Sequence, residues 1–517
     1  MTAQTPFAVR AHGAVGDGCA LDTAAFQRAI DACASLGGGV VYCSPGRYLI
    51  GTIFLQSNIE LHLESGCTLL GSTRQSDYDL SRNSQLDTGY PQEKVSGAHL
   101  IYARDARNIS ITGRGTIDGH GRAFFGPLSP ATPYPYYSIP GWRPGQLICF
   151  YRCQDILIRD IHIVDAPYWT IWPFGCDRVR IHGITIENDR LTPNGDGIDP
   201  DCCRDVQISD CTIHAGDDCI AVRSDVHRVG EGNRVCENIT VNNCIFTTPC
   251  TGVRLGIVGD APIRNCTFNN IVMTHTSLGI DLIVPHLPDF GVQRGCAIEN
   301  VSFSNILMDV GSPFKLVIGH GAFAPAGIRN ISLSNITATT RRYAYIGGNL
   351  DTPVESARFH NIHLRMIGET DDRFVKAVPY PWCYWGGLGT KGLPHAIYCR
   401  YARDIEFHNL RVEWGEIKGP WLTAFMAENV DGLELDGFVA SQPPVASGLV
   451  AARLNQVRDV FVRGCRAMSG TKTFLEIQGA TSEAIHAADN DLRAAAHPIR
   501  FGKDARIEAA AQPQLSS

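Results

Sequence analysis

The sequence predicts an all-β chain wound as a single-stranded right-handed parallel β-helix, a solenoid with a short N-terminal capping helix. Two observations carry this. A short phrase recurs along most of the chain: an alternating apolar strand, then Asn, Asp or Gly, then a second alternating strand. The copies are set apart by a solenoid-like interval, and no segment of useful helical length separates them. The glycine content, 52 of 517 residues, is also above the usual ~7% and favours a turn-rich β chain.

The elements follow in order. Asp22 to Leu36 (DTAAFQRAIDACASL) has apolar residues at helical spacing and an Asp at a plausible N-cap, so it reads as the capping helix. The repeats run from NISITGRGTIDG at Asn108 through DILIRDIHIVDA, DRVRIHGITIEN, RDVQISDCTIHAGDD and ENITVNNCIFTT. They continue to DGLELDGFVA at Asp431 and RDVFVRGCRA at Arg458. Equivalent residues Ile156, Val179, Val206 and Ile239 lie 23, 27 and 33 positions apart. Each strand buries one apolar residue or Cys per inward position, and the central Asn or Gly takes a left-handed bend. Cys211, Cys244, Cys266 and Cys465 read as second-strand core fillers equivalent to Ile161, Ile184 and Ile306. The expected division is a cap with first rungs over 1–85, a catalytic coil over 86–480, and a C-terminal cap and tail over 481–517. A loop inserted at 368–396 breaks the repeat, and a loop of that length in a compact protein is usually functional.

Composition removes several classes. Lys plus Arg number 45 against 52 Asp plus Glu, a net charge of −7, so nothing argues for nucleic acid or a membrane surface as partner. No apolar run approaches a membrane span. The start, MTAQTPFAVRAHGAVGDG, has neither the basic nor the apolar region of a signal peptide, which gives a cytoplasmic expectation. Nineteen Cys without CxxC pairs read as buried free thiols, not as a structural metal site. No cofactor and no metal are expected. The sequence sets no oligomeric state.

The chemistry concentrates in PNGDGIDPDCCRDVQISDCTIHAGDDCIAVR, residues 193–223. Asp217 and Asp218 follow Asp196 by 21 and 22 residues, close to one turn of the coil. Carboxyl groups one rung apart share a face at about 5 Å along the axis. Like charges so close raise at least one pKa. Acid–base glycoside chemistry needs that division, one carboxylic acid protonated and one carboxylate charged. Asp205 and Asp210 read instead as turn formers.

These motifs resemble glycoside hydrolase family 28, the polygalacturonases and rhamnogalacturonases. The resemblance begins at FAVRAHGAVGDG and continues through LIYARDARNISITGRGTIDGHG, RPGQLICFYRC and DAPYWTIWPFGCDRVRIHGITIEND. The family's Asn-Thr-Asp-Gly stands here as Asn194-Gly195-Asp196-Gly197, and its Gly-Asp-Asp as Gly216-Asp217-Asp218. The resemblance implies Asp217 as general acid, Asp196 and Asp218 as activators of the attacking water, and inversion at the anomeric carbon. Two departures stand out. Where the family has Gly-His-Gly, this chain reads CTGVRLG, with Thr251 near the place of the His and Arg254 close by. A literal Gly319-His320-Gly321 comes three rungs too late. Where the family has Arg-Ile-Lys, this chain reads LGIDLIV, placing Asp281 and Ile283 at the two cations. Asp281 suits sugar hydroxyls better than a uronate carboxylate.

Arg223, Arg254 and His286 are candidate partners for an acidic sugar. Tyr168, Trp169 and Trp172, and in the inserted loop Trp382, Tyr384 and Trp385, are candidate sugar platforms. The expected partner is therefore an oligosaccharide, pectin-related or otherwise plant-derived, and not plain polygalacturonate. Two alternatives stay open. One is a β-helix lyase holding Ca²⁺ with Asp199, Asp201, Asp217 and Asp218. The other is a non-catalytic carbohydrate-binding coil.

Overall fold

The computed structural model describes residues 7–80, 96–129, 136–230, 234–284, 295–319, 326–369, 395–419, 421–445, 449–505 and 510–511. The chain divides into two compact units, Met1–Arg254 and Leu255–Ser517. In both, strands pair in parallel from rung to rung, which is the predicted all-β parallel coil; in the second unit they run through the bends for up to 24 residues. No helix among the described residues is long and apolar enough to cross a membrane.

In the first unit the inward residues form straight columns. Ile109, Ile156, Val179, Val206 and Ile239 are successive register partners. Ile111, Ile158, Ile181, Ile208 and Val241 form a second column. All are buried, and each contributes about 1.5–3 kcal/mol by leaving water. The chain bends at two left-handed positions per phrase. Asp155, Arg178, Asp205 and Asn238 precede the first strand's inward residue, and Asp160, Gly183, Asp210 and Asn243 precede the second's. Short polar side chains lower the cost of that backbone by bonding locally. Here they also bond between rungs, as Nδ2 of Asn238 donates to Oδ1 of Asp205 at 2.9 Å. Asp205 and Asp210 are thus turn formers, as their spacing suggested.

In the second unit one column runs Cys266, Val301, Ile331, Ala357, Ile405, Leu433, Val460 and Ile485. Beside it lies an aromatic-rich column in which Phe268 stacks on Phe303 at 4.7 Å and Phe359 on Phe407 at 4.5 Å. Those separations match the spacing of neighbouring strands, so identical rings in register stack without a gap.

Several expectations change. The helix spans Thr23–Ser35, but Asp22 does not cap it with its side chain. Its carboxylate instead accepts from the backbone N–H groups of Val15 (2.7 Å) and Gly16 (3.0 Å), tying the preceding loop to the helix start. Cys266 lies on the first strand of its rung, in register with Val301, whereas Ile306 pairs with Ile271. The eighteen described cysteines are free thiols, sixteen of them buried, as core fillers require. The chain after 480 is not simply a cap and tail. Strands Glu483–Ala488 and Ala495–Phe501 continue the coil, with Ile485 on Val460 and Ile499 on Leu475. Of the inserted loop, 370–394 lies outside the described residues.

Candidate active site

The two Asp motifs meet in the first unit because their backbones pair directly. The N–H of Gly197 donates to the carbonyl of Asp218 at 2.8 Å, and that of Gly216 to Gly195 at 2.9 Å. Ile198 then bridges Ile171 on one side and Ile220 on the other. The approach requires glycine. A Cβ on Gly197 would meet the Cys219 carbonyl at 2.5 Å, and one on Gly216 would meet the Thr192 carbonyl at 2.4 Å. The one-turn offset read from the spacing is therefore a physical contact between rungs.

Asn194 adopts a left-handed backbone, φ 55°, and its Oδ1 accepts from Nη2 of Arg143 at 2.9 Å. Arg143 is fully buried. It also donates to the carbonyls of Pro193 (2.7 Å) and Pro167 (3.0 Å), and its guanidinium lies 4.7 Å from the ring centre of Tyr168. One arginine thus holds the turn that carries Asp196 against the turn of the rung before. The carbonyl of Asp196 takes two further bonds, from the N–H and the hydroxyl of Thr170.

The carboxyl groups are crowded and dry. Asp196, Asp199, Asp201 and Asp218 are buried, while Asp217 is half-buried. Burial pushes the Asp196 carboxyl well above the usual range; Asp199, Asp217 and Asp218 push it further, and Arg254 opposes them. Asp218 is pushed up to about 6 by burial, against the pull of Arg254. Nη1 of Arg254 lies 2.7 Å from its Oδ2 and Nη2 lies 2.8 Å from its Oδ1. The N–H of Thr251 donates to the same Oδ1 at 3.2 Å. Asp199 is fully buried, and neither of its carboxyl oxygens makes a hydrogen bond. Burial is the main cause of its raised pKa, with Arg223 as the opposing charge. Such a set can hold a proton on one carboxyl while another stays charged, which is what an acid–base pair needs.

The remaining expected residues fall in different places. Arg223 is buried, with Nε 3.5 Å from Oδ2 of Asp201 and its guanidinium 4.4 Å from the ring centre of Trp169. Arg254 is spent on Asp218. Both therefore act on the carboxyl cluster rather than standing open to a substrate. Trp169 is 4% exposed, stacks on Tyr168 at 5.1 Å and meets Trp172 edge-on. Its ring is a wall, not an open platform. In the second unit Asp281 is buried and lies in register with Lys315, while Ile283 joins an apolar cluster of Val317, Tyr345, Tyr398 and Met426. His286, His320, Trp382 and Trp385 lie outside the described residues. Asp217, Asp218 and Cys250 bring a donor atom each within 4.8 Å of one another, close enough to share an ion.

Sequence reasoning assigned no role to Arg143 or Cys250. Neither carries a spacing signal, since each reaches the Asp motifs only through the coil. Asp199 was visible as one more acid in the run, but its complete burial was not.

A family model, glycosyl hydrolases family 28, matches residues 62–378. The chain belongs to that family. The family 28 match stops well before the C-terminus, although the coil continues. Among curated relatives, a probable polygalacturonase of Vitis vinifera is 29% identical over 310 residues, covering 57% of this chain and 59% of the relative. An exo-poly-alpha-D-galacturonosidase of Dickeya chrysanthemi is 25% identical over 309 residues, covering 52% and 50%. This family 28 chain spans about 60% of the length of the first relatives it matches. Of solved structures, the family 28 exopolygalacturonase of Yersinia enterocolitica superposes with a TM-score of 0.62 at 21% identity, over 84% of this chain and 79% of that one. The exopolygalacturonase of Thermotoga maritima gives 0.60 at 21% identity, over 80% and 93%. At these identities the likeness concerns the fold.

Proposed function

We propose that this chain hydrolyses glycosidic bonds of a pectin-related oligosaccharide with inversion at the anomeric carbon. The observation that carries the reading is the Asp196–Asp217–Asp218 group, formed by two motifs of family 28 locked rung to rung. Asp217, the most exposed of the three, gives its proton to the leaving oxygen as the bond from that oxygen to the anomeric carbon breaks. Water attacks the carbon from the opposite face and passes a proton to Asp218 or Asp196. Arg254 orients the Asp218 carboxylate with one hydrogen bond and one ion-pair contact and keeps it from protonating too readily.

The substrate we propose is an oligosaccharide other than unbranched polygalacturonate. The support is the pair Asp281 and Ile283. Asp281 is buried and Ile283 sits among apolar side chains, so neither position supplies the cation that a uronate carboxylate needs. The calcium-dependent lyase is the weaker reading. Asp201 is already committed to the N–H of Asp225 at 2.8 Å and to Arg223. The group around Asp217 and Asp218 offers a thiol as third donor, a poor ligand for a hard cation.

The test is a panel of polygalacturonate, rhamnogalacturonan fragments and neutral pectic oligosaccharides, with the product anomer followed by NMR. The expected result is hydrolysis with inversion, faster on a rhamnose-bearing or neutral member than on polygalacturonate. Products that retain the configuration, or an unsaturated product, would remove the mechanism. A polygalacturonate kcat/KM above all others would remove the substrate assignment.

A further inference from the structure

Close to the carboxyls of Asp217 and Asp218 lies a third side chain that neither Asp motif contains. Cys250 precedes the strand Thr251–Gly259 and is half-buried, unlike the fully buried thiols of the core. Its backbone is pinned, its N–H donating to Oγ1 of Thr248 at 3.0 Å, while that hydroxyl bonds the carbonyl of Asp217. Its Sγ lies within 4.8 Å of a carboxyl oxygen of Asp217 and of Asp218 and 3.8 Å from Oγ1 of Thr251. Nη2 of Arg254, the atom that also donates to Asp218, donates to the same sulfur at 3.5 Å.

We propose that Cys250 is a positioning residue for the hydrolysis: its thiol joins Asp217, Asp218 and Arg254 into one hydrogen-bonded group and shares its single S–H between the two carboxyls. The inference rests on the catalytic reading above and goes beyond it, because the family motifs assign nothing to this position. Three features support it. The sulfur already accepts from Arg254, so its own hydrogen is directed away from the guanidinium, to the side where the carboxyls lie, and the Thr251 hydroxyl can in turn donate to the sulfur. Burial and the neighbouring Asp217 and Asp218 hold the thiol protonated, so it is a donor at neutral pH. A thiol is also a weak donor. It can orient a carboxyl without stabilising the carboxylate as strongly as a hydroxyl would, and so leaves Asp217 able to keep its proton.

The charged groups facing the pair are Asp196, Asp199 and Arg254, and no substitution below touches them. Cys250→Ala removes the donor, so both carboxyls titrate higher. Cys250→Ser supplies a stronger, shorter donor, so both titrate lower. The pH profile of kcat/KM should move as a whole, up for C250A and down for C250S, by about half a unit each. A merely structural thiol would shift neither. Asp-labelled carboxyl NMR, with D217N and D218N to assign the resonances, reads the same shifts in the whole protein without any substrate. Shifts of opposite sign in the two variants support the proposal. Titrations that superimpose on wild type, or that shift in the same direction, overturn it. An Asp217→Asn variant that keeps its turnover overturns the catalytic reading and the inference together. An inert D217N with unshifted Cys250 variants overturns the inference alone.

Discussion

The guanidinium of Arg254 holds the Asp218 carboxyl, Nη2 donating to Oδ1 at 2.8 Å while Nη1 lies 2.7 Å from Oδ2 as an ion pair. Asp218 is fully buried and Arg254 is not, so the pair is charge-assisted from one side and shielded from screening. Arg254 thereby opposes the rise that burial imposes on the Asp218 pKa.

Replacing Arg254 with Gln removes the opposing charge. The Asp218 pKa, already about 6, rises further. A base must be deprotonated to act, so the acidic limb of the kcat/KM profile moves to higher pH. Activity at pH 5 should fall more than activity at pH 7.5. Equal loss at both would show that Arg254 does not tune Asp218.

Asp217→Asn should lower kcat by about 10²–10⁴-fold, the usual range for a general acid, with far-ultraviolet circular dichroism and melting temperature near wild type. Asp217 packs less deeply than Asp218, so the substitution leaves the core intact. More than half of the wild-type rate would remove Asp217 from the mechanism.

Asp196, Asp199 and Asp218 all carry raised pKa values because burial disfavours their charge. For a carboxyl raised in the folded state, the stabilising contribution is complete below the unfolded value near 3.8 and is lost as pH rises through the folded value. For Asp218 that window runs from about pH 4 to 6. Melting temperature should therefore decline as pH rises through this range. Asp199→Asn, which cannot ionise, should melt higher than wild type at pH 7.5 and no higher at pH 4, as followed by calorimetry. A pH-independent difference would mean that folding does not shift the Asp199 pKa.

Arg143→Lys keeps the charge but cannot serve Pro167, Pro193 and Asn194 together. The Asn194–Gly197 turn should loosen, with kcat falling at least about 10-fold while KM changes little. Melting temperature should fall as well, since buried carbonyls lose their donor. A larger change in KM than in kcat would place Arg143 in binding instead.

The coil itself was legible in the residues. Strict alternation decides which side chains point inward, as in Ile156 and Ile158, and the Asn and Asp of each phrase decide where the chain bends. Both are local, so one copy of the phrase is informative and twelve are decisive. The offset of 21 or 22 residues between Asp196 and Asp217 or Asp218 is legible for the same reason, since a coil turns separation along the chain into contact across a rung. The end of the coil was not, because the Ala-rich run after 480 pairs as strand only when a preceding rung offers Val460 and Leu475. Asp22 stands at the N-cap as its position suggested, but the partners of its side chain were not legible, because the loop bearing Val15 and Gly16 is placed by tertiary packing. Arg143, Arg223, Arg254 and Cys250 carry no periodic signature. Their partners lie tens of residues away in the chain, and only the stacking of rungs decides that Arg143 meets Asn194, that Arg254 meets Asp218, and that one thiol lies close to two acids. Sequence pattern determines the scaffold and the facing carboxyls because both follow from local repeat geometry. The protonation of those carboxyls was decided by burial and by long side chains converging from separate rungs, which only the folded chain brings together.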